Sequence, residues 1–187
     1  MNHFSCFLCL ADSGDYRLRR KEKYDIEKEL REWFRGAGRI VVVGVGNPIR
    51  MDDFVGVRIV QDLKGKVDAR VMLIEAETVP ENHMQEIIDF KPTHILIIDA
   101  AIMGSKAGAV RLVKHEKLTN FAAFSTHALP LRLFCEYATD TAKARIRLLL
   151  IQPTLADFGE GLSPKVEETG KHVAALLLGL LTARSAD

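Results

Sequence analysis

Apolar and polar positions follow two different rhythms along this chain. Between Arg17 and Arg35 the sequence is dense in charge, and Ile26, Leu30, Trp33 and Phe34 fall at i, i+4, i+7 and i+8. That spacing predicts one apolar stripe on a helix, closed by Gly36 and Gly38. Beyond Gly38 short, unbroken apolar runs take over. "RIVVVGV", "ARVMLIEA" and "THILIIDA" predict three buried strands, and "ARIRLLLIQP" a fifth later in the chain. "GAVRLV" predicts a fourth strand that follows the Gly104–Gly108 loop so closely that no crossover helix fits, which makes it an antiparallel addition. Between them stand helical segments. "DDFVGVRIVQDL" places Val57, Val60 and Leu63 on one side, "ENHMQEIIDF" is short, and "HALPLRLFCEYA" is longer. "SPKVEETGKHVAALLLGLL" closes the chain with Ser163 as cap and Pro164 in the first turn.

Strands alternating with helices imply an α/β fold: a three-layer α/β/α sandwich around a five-stranded, mostly parallel sheet with one antiparallel strand. Residues 1–38 are expected to be an N-terminal extension with one amphipathic helix, and residues 39–187 the α/β domain. That helix packs either on its own domain or on a neighbouring subunit, where it would make a homo-oligomer. Ligands of open sheets of this type sit at the carboxyl ends of the strands, so the residues that follow each strand carry the functional information.

Composition narrows the field. Of 187 residues 26 are Lys or Arg and 25 are Asp or Glu, a net charge of +1 that gives no global attraction for nucleic acid or for an anionic membrane. No apolar run reaches the roughly 18 residues needed to span a bilayer. The opening "MNHFSCFLCLAD" lacks the basic residues of a signal peptide. Three cysteines are too few and too unevenly placed for a disulfide framework, which favours a reducing cytoplasm. Cys135 is expected as a buried thiol. Cys6 and Cys9 have the spacing of half a zinc site, with no second pair to complete it.

The first strand delivers Gly44, Gly46, Asn47 and the acidic pair Asp52-Asp53, the third delivers Asp99, and His127 precedes the helix before the last strand. Two carboxylates and an imidazole converging on one sheet edge suit a divalent first-row metal with open coordination positions. Each has a plainer reading. One of the paired acids is expected to cap and charge the following helix, and Asp52 is assigned to that role, Asp53 to the site. Asp99, at the end of "ILIID", faces burial and needs a partner. His127 could equally be a helix cap or a core histidine. A dinucleotide-binding turn is disfavoured, because Ile49 stands where G-x-G-x-x-G has its third glycine and two acids behind the turn would repel a pyrophosphate.

"GVGNPIRMDDFVGVRIV", followed by "ILIIDA" and "STHALPL", resembles the nickel-iron hydrogenase maturation endopeptidases. Their pattern is G-x-G-N, D-[DE]-x-x-G, a strand-end Asp and a later His. The similarity runs from Arg39 to Leu181 and takes in "VPENHMQEIIDFKPTHILIIDA" and "IQPTLADFGEGLSP". The resemblance implies an endopeptidase that removes a C-terminal extension from a hydrogenase large-subunit precursor after nickel insertion. It implies that Asp53, Asp99 and His127 are both the metal-contacting and the catalytic residues. Nickel would arrive with the precursor, with no organic cofactor and no nucleic-acid partner. A non-catalytic nickel-binding maturation chaperone is the alternative on the same site. Where many members have Asp-Gly-Gly-Thr after the second strand, this chain has Glu75-Ala76-Glu77-Thr78: Glu75 can replace the acid, but a loop without both glycines is stiffer. Ser125 and Thr126 adjoin His127, yet adjacency is not triad geometry, so no nucleophile stands out.

Overall fold

The computed structural model describes residues 26–117 and 128–183. Helix α1 spans residues 26–33. The strands are β1 (Ile40–Val45), β2 (Val71–Glu77), β3 (His94–Ala100), β4 (Val110–Lys114) and β5 (Arg145–Ile151). Helices α2 (Val55–Leu63), α3 (Met84–Phe90), α4 (Ala128–Ala142) and α5 (Pro164–Thr182) complete the fold. The sheet order is β2-β1-β3-β5-β4. All pairings are parallel except β4 with β5, which run antiparallel from Val110 opposite Ile151 to Lys114 opposite Arg147. The short β3–β4 connection therefore does not pair its own two strands. The last strand inserts between them, driven by a seven-residue run whose last four positions are buried.

Strand alternation sorts the core into two layers. Val42, Leu96, Ile98, Leu149 and Ile151 pack under α1, α2 and α5. Val41, Val43, Ile95, Ile97, Leu148 and Leu150 pack under α3 and α4. Leu30 and Trp33 of α1 are buried in the first layer, beside Val110 and Leu112 of the edge strand, so this helix packs on its own domain. The stripe on α2 is broader than the spacing implied. Val55 and Ile59 are also fully buried, because α5 lies alongside, with Gly170 placed so that a Cβ there would stand 3.5 Å from Val55 and 3.8 Å from Ile59.

The two helices after β1 and β2 do not begin as α-helix. Each opens with a 3₁₀ turn, Met51–Phe54 before α2 and Pro80–His83 before α3. The first is pinned from outside, its backbone N–H groups at Met51 and Asp52 donating to the carbonyls of Gly159 and Leu155. Among the described residues no helix is long and apolar enough to cross a membrane.

Candidate active site

After β1 the chain goes outward to β2 on one side, then returns to β3 on the other. The pair β1 and β3 is therefore the switch point of the sheet, at whose carboxyl ends ligands of open α/β sheets bind. β1 and β3 stay in register from Ile40 opposite His94 to Gly44 opposite Ile98, and no further. Asp99 is the next residue of β3, wholly buried, and Asp53 follows β1, 4% exposed. The structure thus brings these two predicted site residues to the same rim, Asp99 on β3 and Asp53 in the 3₁₀ turn that follows neighbouring β1. His127 lies outside the described residues, as do Ser125, Thr126, Cys6 and Cys9.

Glycines make this convergence possible. A Cβ on Gly56 would sit 2.1 Å from the Ile98 carbonyl oxygen and 2.4 Å from that of Val45, so only a bare Cα lets α2 press onto both strands here. Gly46, at φ +141°, has the Asp53 carbonyl where a Cβ would stand, 1.8 Å away. The close helix approach is thus achieved by the glycine of "DDFVG", while Ile49, at the place of the third glycine of G-x-G-x-x-G, is 54% exposed. Asn47 closes the turn. Its amide donates to Asp53 Oδ2 (2.8 Å) and its own Oδ1 accepts from the Ile49 amide (3.1 Å), which explains an asparagine after the second glycine.

Asp52 corrects the sequence reading. It does not cap its own helix: no side-chain bond closes that turn. Its fully buried carboxylate reaches across the rim to the segment after β5. Oδ2 accepts from the amides of Thr154 (2.8 Å) and Leu155 (2.9 Å) and from the Ser163 hydroxyl (2.8 Å). Oδ1 accepts from the Ser163 amide (2.6 Å). Ser163 is indeed the residue before α5, but its hydroxyl serves Asp52 and makes no cap bond to its own helix. Four donors around one carboxylate satisfy its charge without a cation.

Arg50 and Gln152, which the sequence reading did not single out, complete the stitching. The Arg50 guanidinium donates to the Ala156 carbonyl (2.7 Å) and lies 5.5 Å from the Phe158 ring centre. Gln152 Oε1 accepts from the amides of Met103 (2.7 Å) and Ser105 (3.2 Å), tying the loop after β3 to the same segment. The only sequence sign of this was the dense run of Pro153, Gly159, Gly161 and Pro164, which marks a loop but names no partner.

Glu75 does not join the site. Its carboxylate is held by Lys64 and by Gln61 Nε2 (2.8 Å), both on or just after α2, and these bonds keep it below the usual carboxylate range. At the second position of the missing glycine pair the backbone still takes the glycine-like conformation: Glu77 has φ +48°. Cys135 is fully buried in the α4 layer, and burial pushes its thiol up to about 12, so it stays protonated and is no nucleophile. Among the described residues no three His, Cys, Asp or Glu side chains gather to hold a metal ion. Two acids at the switch point supply hard oxygen donors, and a third donor would have to come from elsewhere.

Known proteins resemble this chain in sequence and in fold. The HycI hydrogenase maturation protease model matches residues 57–180. A putative hydrogenase maturation protease of Methanocaldococcus jannaschii is 32% identical over 164 residues, 83% of this chain and 96% of that protein. The hydrogenase 3 maturation protease of Escherichia coli K12 is 24% identical over 74% of this chain and 88% of its own length. The crystal structure of the [NiFe] hydrogenase maturation protease HycI from Thermococcus kodakarensis superposes with a TM-score of 0.76 at 31% identity, covering 82% of this chain and 99% of that one. By sequence and by fold, this chain belongs to the hydrogenase maturation protease family of endopeptidases.

Proposed function

We propose that this peptidase removes the C-terminal extension of a nickel-iron hydrogenase large-subunit precursor, and that nickel already inserted in the precursor is its recognition element. The observation that carries the reading is the pair of buried acids, Asp53 and Asp99, at the switch point of a hydrogenase maturation protease. Carboxylates favour a divalent cation over a neutral peptide, and two of them leave coordination positions for ligands that the precursor brings. His127 is assigned as the third donor. On this reading the substrate's nickel is a positional tag. A cation gripped by residues of both chains fixes the neighbouring peptide bond over the rim and turns a weak encounter into an oriented one.

The test is incubation of the purified protein with nickel-loaded and with nickel-free precursor, followed by intact mass. Shortening of the loaded form alone is expected. Equal cleavage of both forms would reject the tag, and no cleavage of either would reject the substrate.

A further inference from the structure

Seven large apolar side chains are exposed among the described residues, and five of them lie on loops at the carboxyl ends of the strands: Ile49, Val79, Ile102, Leu155 and Phe158. The other two, Leu133 and Tyr137, lie on α4. Single exposed apolar residues are ordinary, but five around one rim that also holds two buried acids are not scattered. Phe158 is the extreme case, 74% exposed, and Leu155 is 50% exposed.

Both are anchored to the rim. The Leu155 amide is one of the four donors to Asp52, and the Phe158 ring faces the Arg50 guanidinium at 5.5 Å. Backbone bonds from Met51 to Gly159 (3.0 Å) and from Gly159 to Ile49 (3.0 Å) fasten the same loop to the turn that carries Asp53. An apolar side chain held out in water on a rigid support is arranged for a partner, because its ordering entropy is spent before binding.

We propose that Leu155 and Phe158 are specificity-determining residues of this peptidase. They form an apolar lip that holds the polypeptide segment next to the scissile bond, and Asp52 is the positioning residue that keeps the lip in register with Asp53. The proposal rests on the substrate reading above. The occupant is an extended stretch of the precursor that pairs an apolar side chain with a basic neighbour. Arg50, the cation under the lip, is engaged by the Ala156 carbonyl, while the exposed charges on the loop, Asp157 and Glu160, are negative. Ile49, continuous with Asn47 and Asp53 along the turn, extends the apolar track toward the acids.

The experiment compares cleavage kinetics of wild type, Phe158→Ser, Leu155→Ser, Asp52→Asn and Asp52→Asn/Phe158→Ser on nickel-loaded large-subunit precursor. Both lip positions are solvent-exposed, so their substitutions leave folding intact, which thermal melts verify. Each lip variant is expected to raise KM about tenfold or more, the scale of burying one large apolar side chain, with kcat little changed. Asp52→Asn forces an amide donor against backbone donors, and its effect on KM is expected to be much less than additive with that of Phe158→Ser, because both act through one lip. Fully additive effects would reduce Asp52 to a stability residue. Benzoylphenylalanine at position 158 should cross-link to the precursor beside its cleaved bond. A wild type that cuts the precursor while both lip variants keep its KM overturns the lip alone. A wild type that cuts nothing overturns the substrate reading and the lip with it.

Discussion

Strand β3 carries a buried polar residue at each end, and the two ends of the sheet treat them oppositely. At the amino end His94 is 3% exposed and closed in by neighbours. Its ring meets Trp33 edge-on at 5.1 Å, its Nδ1 bonds Thr93 Oγ1 at 2.9 Å, and the Arg145 guanidinium lies 3.5 Å from Nε2. Thr93 in turn accepts from the Gly38 amide and donates to the Arg39 carbonyl, so the entry to β1 is locked to the entry to β3. At the carboxyl end Asp99 is wholly buried below loops that are stitched together over 111 residues of sequence and that hold apolar side chains in water. One end of the sheet spends its polar groups on closure. The other places a buried carboxylate, Asp99, at the carboxyl ends of the strands, where open α/β sheets bind their ligands.

The sharpest break of this contrast is an exchange of consequences between neighbours. Asp53→Ala and Asp99→Ala are expected to cut precursor processing by roughly 10²- to 10⁴-fold, the range of a positioned catalytic group, with far-ultraviolet circular dichroism unchanged. Asp52→Ala should do the reverse in weight. It strands four donors, three of them backbone amides, and at about 1 kcal/mol or more each the loss reaches roughly 3–5 kcal/mol in urea unfolding. Equal stability losses at all three acids would mean that the rim is built like the amino end.

Next in size is Gly56→Ala. Its Cβ would collide with two backbone carbonyls that cannot rotate away, so α2 must lift off the switch point. A loss of about 1–3 kcal/mol is expected, accompanied by a fall in kcat/KM, since the turn bearing Asp53 moves with the helix. A variant that loses stability with full activity would uncouple the helix from the site.

These substitutions also show what a sequence can disclose. The apolar runs disclosed β1, β3 and β5 because strands buried on both faces need no polar alternation, and "GVGN" with "DD" disclosed the turn because its backbone demands are local. The insertion of β5 beside β4 was not legible, since nothing in "GAVRLV" distinguishes an edge pairing with β3 from one with β5. Asp52 and Asp53 were told apart only in part. Their separate roles depend on Thr154, Leu155 and Ser163, residues whose identity hardly matters because most of the donors are backbone amides, which leave no mark in the sequence.

At the amino end the contrast can be read by pH. Burial, reinforced by the Arg145 charge, holds the His94 imidazole below its ordinary 6.5. The unfolded chain takes up a proton at 6.5 that the folded chain refuses, so stability is full above that value and declines as pH falls below it toward the folded-state value. Replacing His94 with Phe should flatten this part of the stability profile, followed by urea unfolding between neutral and mildly acidic pH, while leaving the pH dependence of processing unaltered. A changed activity profile would mean that the two ends communicate.

The smallest expected effect lies at the turn after β2, where the resemblance implied two glycines and this chain has Ala76-Glu77. Glu77 adopts φ +48°, a backbone conformation that favours glycine, and its carbonyl accepts from the Gly46 amide at 2.8 Å, so the bond between the two turns is made at a conformational cost. Glu77→Gly relieves about 1 kcal/mol of left-handed strain and returns part of it as unfolded-chain entropy. The net should be a stabilisation between zero and about 1 kcal/mol, read as a small rise in melting temperature. Because Glu77 is exposed on the rim beside Asn47, the same variant also asks whether its charge matters. An unchanged KM with a stability gain would make Glu77 a tolerated strain, whereas a raised KM would add this carboxylate to the surface that meets the substrate, and would explain why a strained acid stands where flexibility was available.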